Sequence, residues 1–116
     1  MILIDVRLDN EGILESAHIK GHSGQGTIGS DIICAAVSAL VMAAEHTLCS
    51  LSAVETEFIA PVRGEFLLKT HHEGANFEEK VYLKAVGDFL INGFSAAAEE
   101  SPENCSITIR RIQNGS

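Results

Sequence analysis

The sequence predicts an α+β fold in which an antiparallel or mixed sheet packs against two helices. Three observations predict it. Five short segments read as strands, the first and last by a period of two in their apolar residues, the period that puts one strand face against a core. Two longer segments, opening near Ser30 and Phe77, repeat apolar residues every three or four positions, as an amphipathic helix does. Their order is ββαββαβ, which gathers the helices against the sheet instead of alternating them strictly with parallel strands.

Each element has a local reason. Ile2, Ile4, Val6 and Leu8 alternate with Leu3, Asp5 and Arg7, giving a strand with one buried face. Asp9-Asn10-Glu11-Gly12 is turn chemistry: side chains that bond their own backbone, then a glycine that accepts positive φ. A second strand, 13–20, pairs back antiparallel and ends at Gly21. Residues 23–30 hold three glycines, Gly24, Gly26 and Gly29, and are expected to form a mobile loop. Ser30 suits an N-cap, and Asp31 the positive end of a helix dipole. From there a helix should run to Cys49 or Ser50. Ile33, Val37, Leu40, Val41, Ala44 and Leu48 form its buried stripe, while Ile32, Ala36, Ala39 and Ala43 leave the opposite side apolar too. Such a helix is expected to be covered on most sides, by the sheet, the other helix or a second subunit.

Strands are expected over 54–60 and 65–71, with Pro61 to Gly64 as the turn between them. Asn76 followed by Glu79 resembles a capping box and starts a second helix near Phe77. Val86, Phe89, Leu90, Phe94 and Ala97 are its expected apolar side. Gly87 and Gly93 weaken it by up to ~1 kcal/mol each relative to alanine unless close packing needs them. Ser101-Pro102-Glu103-Asn104 breaks the chain, and Cys105, Ile107 and Ile109 alternate through a last strand.

At 116 residues, with 46% hydrophobic side chains, the chain is read as one globular domain over 1–116. Its 16 acidic and 8 basic side chains give a net charge of −8, against a nucleic-acid surface and compatible with a basic partner. The 3 cysteines, Cys34, Cys49 and Cys105, are too few and too widely spaced for a disulfide framework or a paired zinc motif. The apolar run Ile32 to Ala44 is shorter than the roughly 20 residues a bilayer needs, and the first residues carry no secretory pattern. A reduced, cytoplasmic, membrane-free protein is the expectation.

The chemistry concentrates between Gly21 and Val41, read as GHSGQGTIGSDIICAAVSALV. His22 stands where the second strand ends, and Cys34 in what should be the first turn of the helix. A helix N-terminus and a nearby imidazolium both favour the thiolate, the nucleophilic form of cysteine. His22 can also protonate a leaving amine, and free amides at the helix start can hold an oxyanion. Asp31, Cys34 and Ser38 share one helix face. Asp31 can orient the imidazole but also opposes the thiolate. Ser38 can hold the thiol or a backbone group, or merely bond its i−4 carbonyl. On spacing alone the signal is weak, and a cysteine on a mainly apolar helix is usually a small buried hydrophobe.

The run GHSG, followed by DIICAAVSAL, resembles the signature of the ribosomal-processing cysteine protease family, Prp, closely over 21–40. The resemblance implies that His22 and Cys34 are the catalytic pair, supported by Asp31, Ser38, Gly21 and Gly24. It implies a substrate loop formed by Ser23, Gln25, Gly26, Thr27, Ile28, Gly29 and Ser30. After Gly24 the family commonly shows an aromatic residue and a charged stretch, where this chain has Gln25-Gly26-Thr27-Ile28. It further implies removal of a short N-terminal extension from a large-subunit ribosomal protein, number twenty-seven, by cutting after an aromatic residue. A homodimer and the absence of any metal or organic cofactor are also implied. An acidic enzyme suits a basic ribosomal-protein precursor.

Two alternatives come from other classes. One is a non-catalytic, ribosome-associated peptide-binding module with Cys34 as packing. The other is a metal site from His18, His22 and Cys34, although four residues along a strand separate the two histidines by ~13 Å. His46, His71 and His72 read as surface residues, and Cys49 and Cys105 as packing.

Overall fold

The computed structural model describes residues 1–21, 28–62 and 64–111, and for 28–31 the backbone alone. Its elements are β1 (Ile2–Leu8), β2 (Leu14–Lys20), α1 (Ile28–Leu48), β3 (Glu55–Ile59), β4 (Glu65–His71), α2 (Phe77–Glu100) and β5 (Cys105–Arg111). The expected ββαββαβ order is therefore present. One five-stranded sheet has the order β3-β4-β2-β1-β5. Its neighbours are antiparallel except β1 and β5, which run parallel because α2 carries the chain back across the sheet.

The first hairpin forms for the reason its sequence gives. Asp9 Oδ1 accepts the amide protons of Glu11 and Ile13 at 2.8 and 2.9 Å, and Gly12 takes φ +81°. Ile2, Ile4 and Val6 from β1 and Ala17 and Ile19 from β2 then point into the core. Ile33, Val37, Val41 and Ala44 from α1 and Leu90 and Phe94 from α2 meet them from above. A second cluster, Ile13, Leu48, Val54 and Leu83, closes the end of the molecule that holds the hairpin turn.

The helices run antiparallel to each other: Leu48 packs with Leu83 at one end, and Leu40 lies against Gly93 toward the other. Both α2 glycines are places of close approach. A Cβ on Gly87 would stand 3.0 Å from the Leu14 Cβ, and one on Gly93 would stand 2.8 Å from a Leu40 methyl. The capping box of α2 is complete: Asn76 Oδ1 accepts from the Glu79 amide at 2.9 Å, and the Asn76 amide donates to Glu79 Oε1 at 3.2 Å.

Three expectations are corrected. The buried stripe of α2 is Leu83, Gly87, Leu90 and Phe94, and Phe89 is 70% exposed. The stripe turns because Gly87, not a large side chain, lies over Leu14. Helix α1 begins at Ile28, so Ser30 is a helical residue and not the N-cap. The cap preference of one serine, about 1 kcal/mol, does not fix a helix start to within two residues. Finally, Ile28, Gly29 and Ser30 are helical, so the expected loop over 23–30 does not include them; among the described residues, Ile32, Ala35, Ala36, Ala39, Met42 and Ala43 leave the outer side of α1 exposed. Among the described residues, no helix is long and apolar enough to cross a membrane.

Candidate active site

Cys34 is the seventh residue of α1 and so lies in its second turn, not the first as expected. The first four amides of a helix lack intrahelical acceptors, so the donors available to an oxyanion are those of 28–31, one turn before the thiol. The helix stripe formed by Ile33, Val37 and Val41 turns Cys34 to the edge of the core. There it is half-buried, packed against the core on one side and open on the other. Ala35 and Ala36, the next two residues, are exposed. Cys34 is thus not fully buried.

Ser38 stands one turn on. Its hydroxyl donates to the Cys34 carbonyl oxygen at 2.7 Å, so of the two roles open in the sequence the structure has the backbone one. Asp31 belongs to the same helix, but its side chain lies outside the described residues, as do those of Ile28 and Ser30. His22, Ser23, Gly24, Gln25, Gly26 and Thr27 lie outside them altogether.

The fold brings the flanks of that segment to one end of the sheet. Strand β2 ends at Lys20, paired with Leu3, and Gly21 follows at φ +104°. A Cβ on Gly21 would overlap the Met1 carbonyl oxygen and stand 3.3 Å from the Ile2 Cα. Because the end of α1 packs with Ile13 at the start of β2, the start of α1 lies toward the Gly21 end. The stacked pair Phe58 and Phe66, with ring centroids 5.9 Å apart, is half-buried against the same core, and Phe66 is paired with Ile19 near the end of β2.

The other candidate residues separate from this site. His18 pairs with Asp5 in the ladder, and its Nε2 lies 2.7 Å from Glu65 Oε2. Its neighbours Ala17 and Ile19 are buried beneath the helices, so His18 points to the opposite face of the sheet from Cys34, which does not build a shared metal site. His46 is exposed, as expected. His72 is half-buried and not exposed: 17% of its side chain is accessible, and Nε2 sits 3.3 Å from Asp9 Oδ2. Those two residues help line a polar cleft of about 470 Å³ with Arg7, Ser16 and Lys69, at the end of the sheet away from Gly21. Cys49 is also not packing, being exposed with its thiol donating to Glu45 Oε1 at 3.2 Å. Cys105 is packing: it is buried against Ile2, and burial raises its thiol pKa.

An apolar groove of about 300 Å³ runs between α1 and α2, lined by Leu40, Ala43, Thr47, Tyr82, Val86 and Phe89. With the outer side of α1 it makes a continuous exposed apolar surface. Neither this groove nor the polar cleft is lined by Cys34.

Comparison with known proteins fits this arrangement. The family model described as cysteine protease Prp matches residues 1–106. No curated protein matches the chain. Among solved structures, SMU.848 from Streptococcus mutans is 27% identical with a TM-score of 0.78, covering 97% of this chain and 96% of that one. The essential ribosomal processing protease Prp from S. aureus, in complex with a substrate peptide, is 19% identical with a TM-score of 0.77, covering 94% and 99%. The same S. aureus protease with a covalently linked product peptide is 22% identical with a TM-score of 0.71, covering 97% and 100%. At the identities of the last two, the likeness is one of fold.

Proposed function

The chain belongs to the cysteine protease Prp family, and from that premise we propose that it removes the N-terminal extension of a large-subunit ribosomal protein, number twenty-seven, with Cys34 as nucleophile and His22 as its base. The observation that carries this reading is the half-buried place of Cys34 on α1 within the matched residues. Two structural relatives are S. aureus ribosomal processing proteases holding a substrate and a product peptide, which supports a peptide of that class as the ligand here.

In the proposed sequence His22 takes the Cys34 thiol proton, and the thiolate attacks the scissile carbonyl carbon. The C–N bond breaks as His22 returns the proton to the leaving amine. Backbone amides near Cys34, at the start of α1, stabilise the oxyanion of the tetrahedral intermediate. Water, deprotonated by His22, then hydrolyses the thioester and frees the thiol. Residues 23–27 are the substrate loop, which runs into α1 at Ile28. Asp31, Gly21 and Gly24 support the pair, Ser38 bonds the Cys34 carbonyl, and no metal or organic cofactor takes part.

The net charge of −8 supports a basic precursor as partner, through long-range attraction more than contact affinity. The exposed apolar surface of α1 and the α1–α2 groove supports a homodimer, with the second copy seated there. Cytoplasmic action as a single domain completes the reading. The test is incubation with the extended precursor, followed by intact mass. Wild type should yield two products, and Cys34→Ala and Cys34→Ser should yield none while keeping the wild-type circular dichroism spectrum. Cleavage by either variant would remove Cys34 from the mechanism.

A further inference from the structure

A row of registered residues crosses the open face of the sheet at the end away from Gly21. Val6, Ala17 and Leu68 pair side by side in β1, β2 and β4, and all three are buried under the helices. Strand alternation turns the next register, Arg7, Ser16 and Lys69, to the opposite face. Two long cationic side chains therefore flank one short hydroxyl. Neighbouring strands lie about 4.8 Å apart, which puts the Arg7 and Lys69 Cα atoms about 10 Å from each other. All three residues line the polar cleft of about 470 Å³.

The cations of this row are not neutralised by the acids around them. Asp9 is engaged at both oxygens: Oδ1 accepts two backbone amides, and Oδ2 lies 3.3 Å from His72 Nε2. Asp5 stands 3.8 Å from Arg7 Nε and 3.5 Å from Arg110 Nε, so one carboxylate serves two guanidinium groups. Glu57, the ladder partner of Lys69, contacts His71 at 3.5 Å instead. Among the described residues Lys69 forms no ion pair. Glu15 and Glu73 line the cleft on its hairpin-turn side. Among the described residues, no group of three or more His, Cys, Asp and Glu is placed to hold a metal ion. The charge left over on the sheet side selects an anion.

We propose that Arg7, Ser16 and Lys69 form a binding site for the phosphate group of a small ligand, on the face of the sheet opposite Cys34. A tetrahedral group offers an oxygen to each of the three donors at once, where a flat carboxylate serves two. The rest of the ligand lies in the cleft beside His71 and His72. The site stands whether or not Cys34 is a nucleophile.

The test titrates the full chain with inorganic phosphate at constant ionic strength and follows the backbone amide resonances. Saturable shifts should centre on Arg7, Ser16 and Lys69. Lys69→Gln and Arg7→Gln should each weaken binding by about tenfold or more, as the loss of one charge-assisted hydrogen bond does. Lys20→Gln, which removes an exposed cation four residues from Ser16 along β2, should leave it unchanged. Shifts that grow without saturating, or that Lys20→Gln weakens as much as Lys69→Gln does, show ion screening only and overturn the site. Acetate bound as tightly as phosphate overturns the phosphate assignment. If Arg7→Gln, which also deletes the contact with Asp5, does not fold, Lys69→Gln decides: phosphate binding unchanged in that variant overturns the proposal.

Discussion

The Ser38 hydroxyl donates to the carbonyl oxygen of Cys34, one helical turn back, and not to the Cys34 thiol. That carbonyl also faces the Ser38 amide along the helix, so the hydroxyl is a second donor to an acceptor already served. Ser38→Ala should therefore change stability by no more than about 1 kcal/mol. Cys34 alkylation and precursor cleavage should stay within about fivefold of wild type, the equivalent of about 1 kcal/mol. Thermal unfolding and the two rates check this. A hundredfold loss of alkylation with the melting temperature unchanged would show that the hydroxyl serves the sulfur after all.

What was legible in the sequence was local. Asn76 and Glu79 lie three residues apart, and their reciprocal bonds follow from that spacing alone. Asp9 and Gly12 specify the first turn in the same way. What was not legible depends on partners far along the chain. His72 meets Asp9 from the other end of the β1–β2–β4 ladder, and no local pattern joins them. Phe89 continues an apolar period, yet Gly87 takes the buried position because Leu14 approaches it too closely for a side chain. At the candidate site, Cys34 was marked by its sequence context, while the close approach of Gly21 to the Met1 carbonyl was not. Met1 and Gly21 come together only when β1 and β2 pair.

Phe89 is a place to test the proposed dimer. It is 70% exposed, Tyr82 is 44% exposed, and both line the groove between the helices. A buried aromatic at the centre of an interface commonly contributes 2 kcal/mol or more, so Phe89→Glu should weaken association by at least about thirtyfold. Light scattering behind a sizing column should read two chains for wild type and one for the variant at the same concentration. The dissociated variant should retain the wild-type far-ultraviolet spectrum, because Phe89 contributes little to the core of one chain. Wild type that elutes as a single chain at every concentration would remove the dimer.

Cys105 provides a pH signature of the fold. It is 2% exposed, and burial raises its pKa above the ordinary value of 9.0. A raised thiol pKa means that the folded chain keeps a proton that the unfolded chain releases. Stability from this group is therefore fully present below pH 9.0 and is lost as pH rises from there through the folded-state value. Cys105→Ala removes the titration, at a pH-independent cost for the smaller side chain. Denaturant unfolding of both proteins from pH 7 to 11 should show the wild-type advantage constant at first. Above pH 9.0 it should shrink, with a slope of up to about 1.4 kcal/mol per pH unit. Parallel curves across the whole range would mean that the Cys105 thiol ionises as readily in the folded chain as in the unfolded one, against its place beside Ile2.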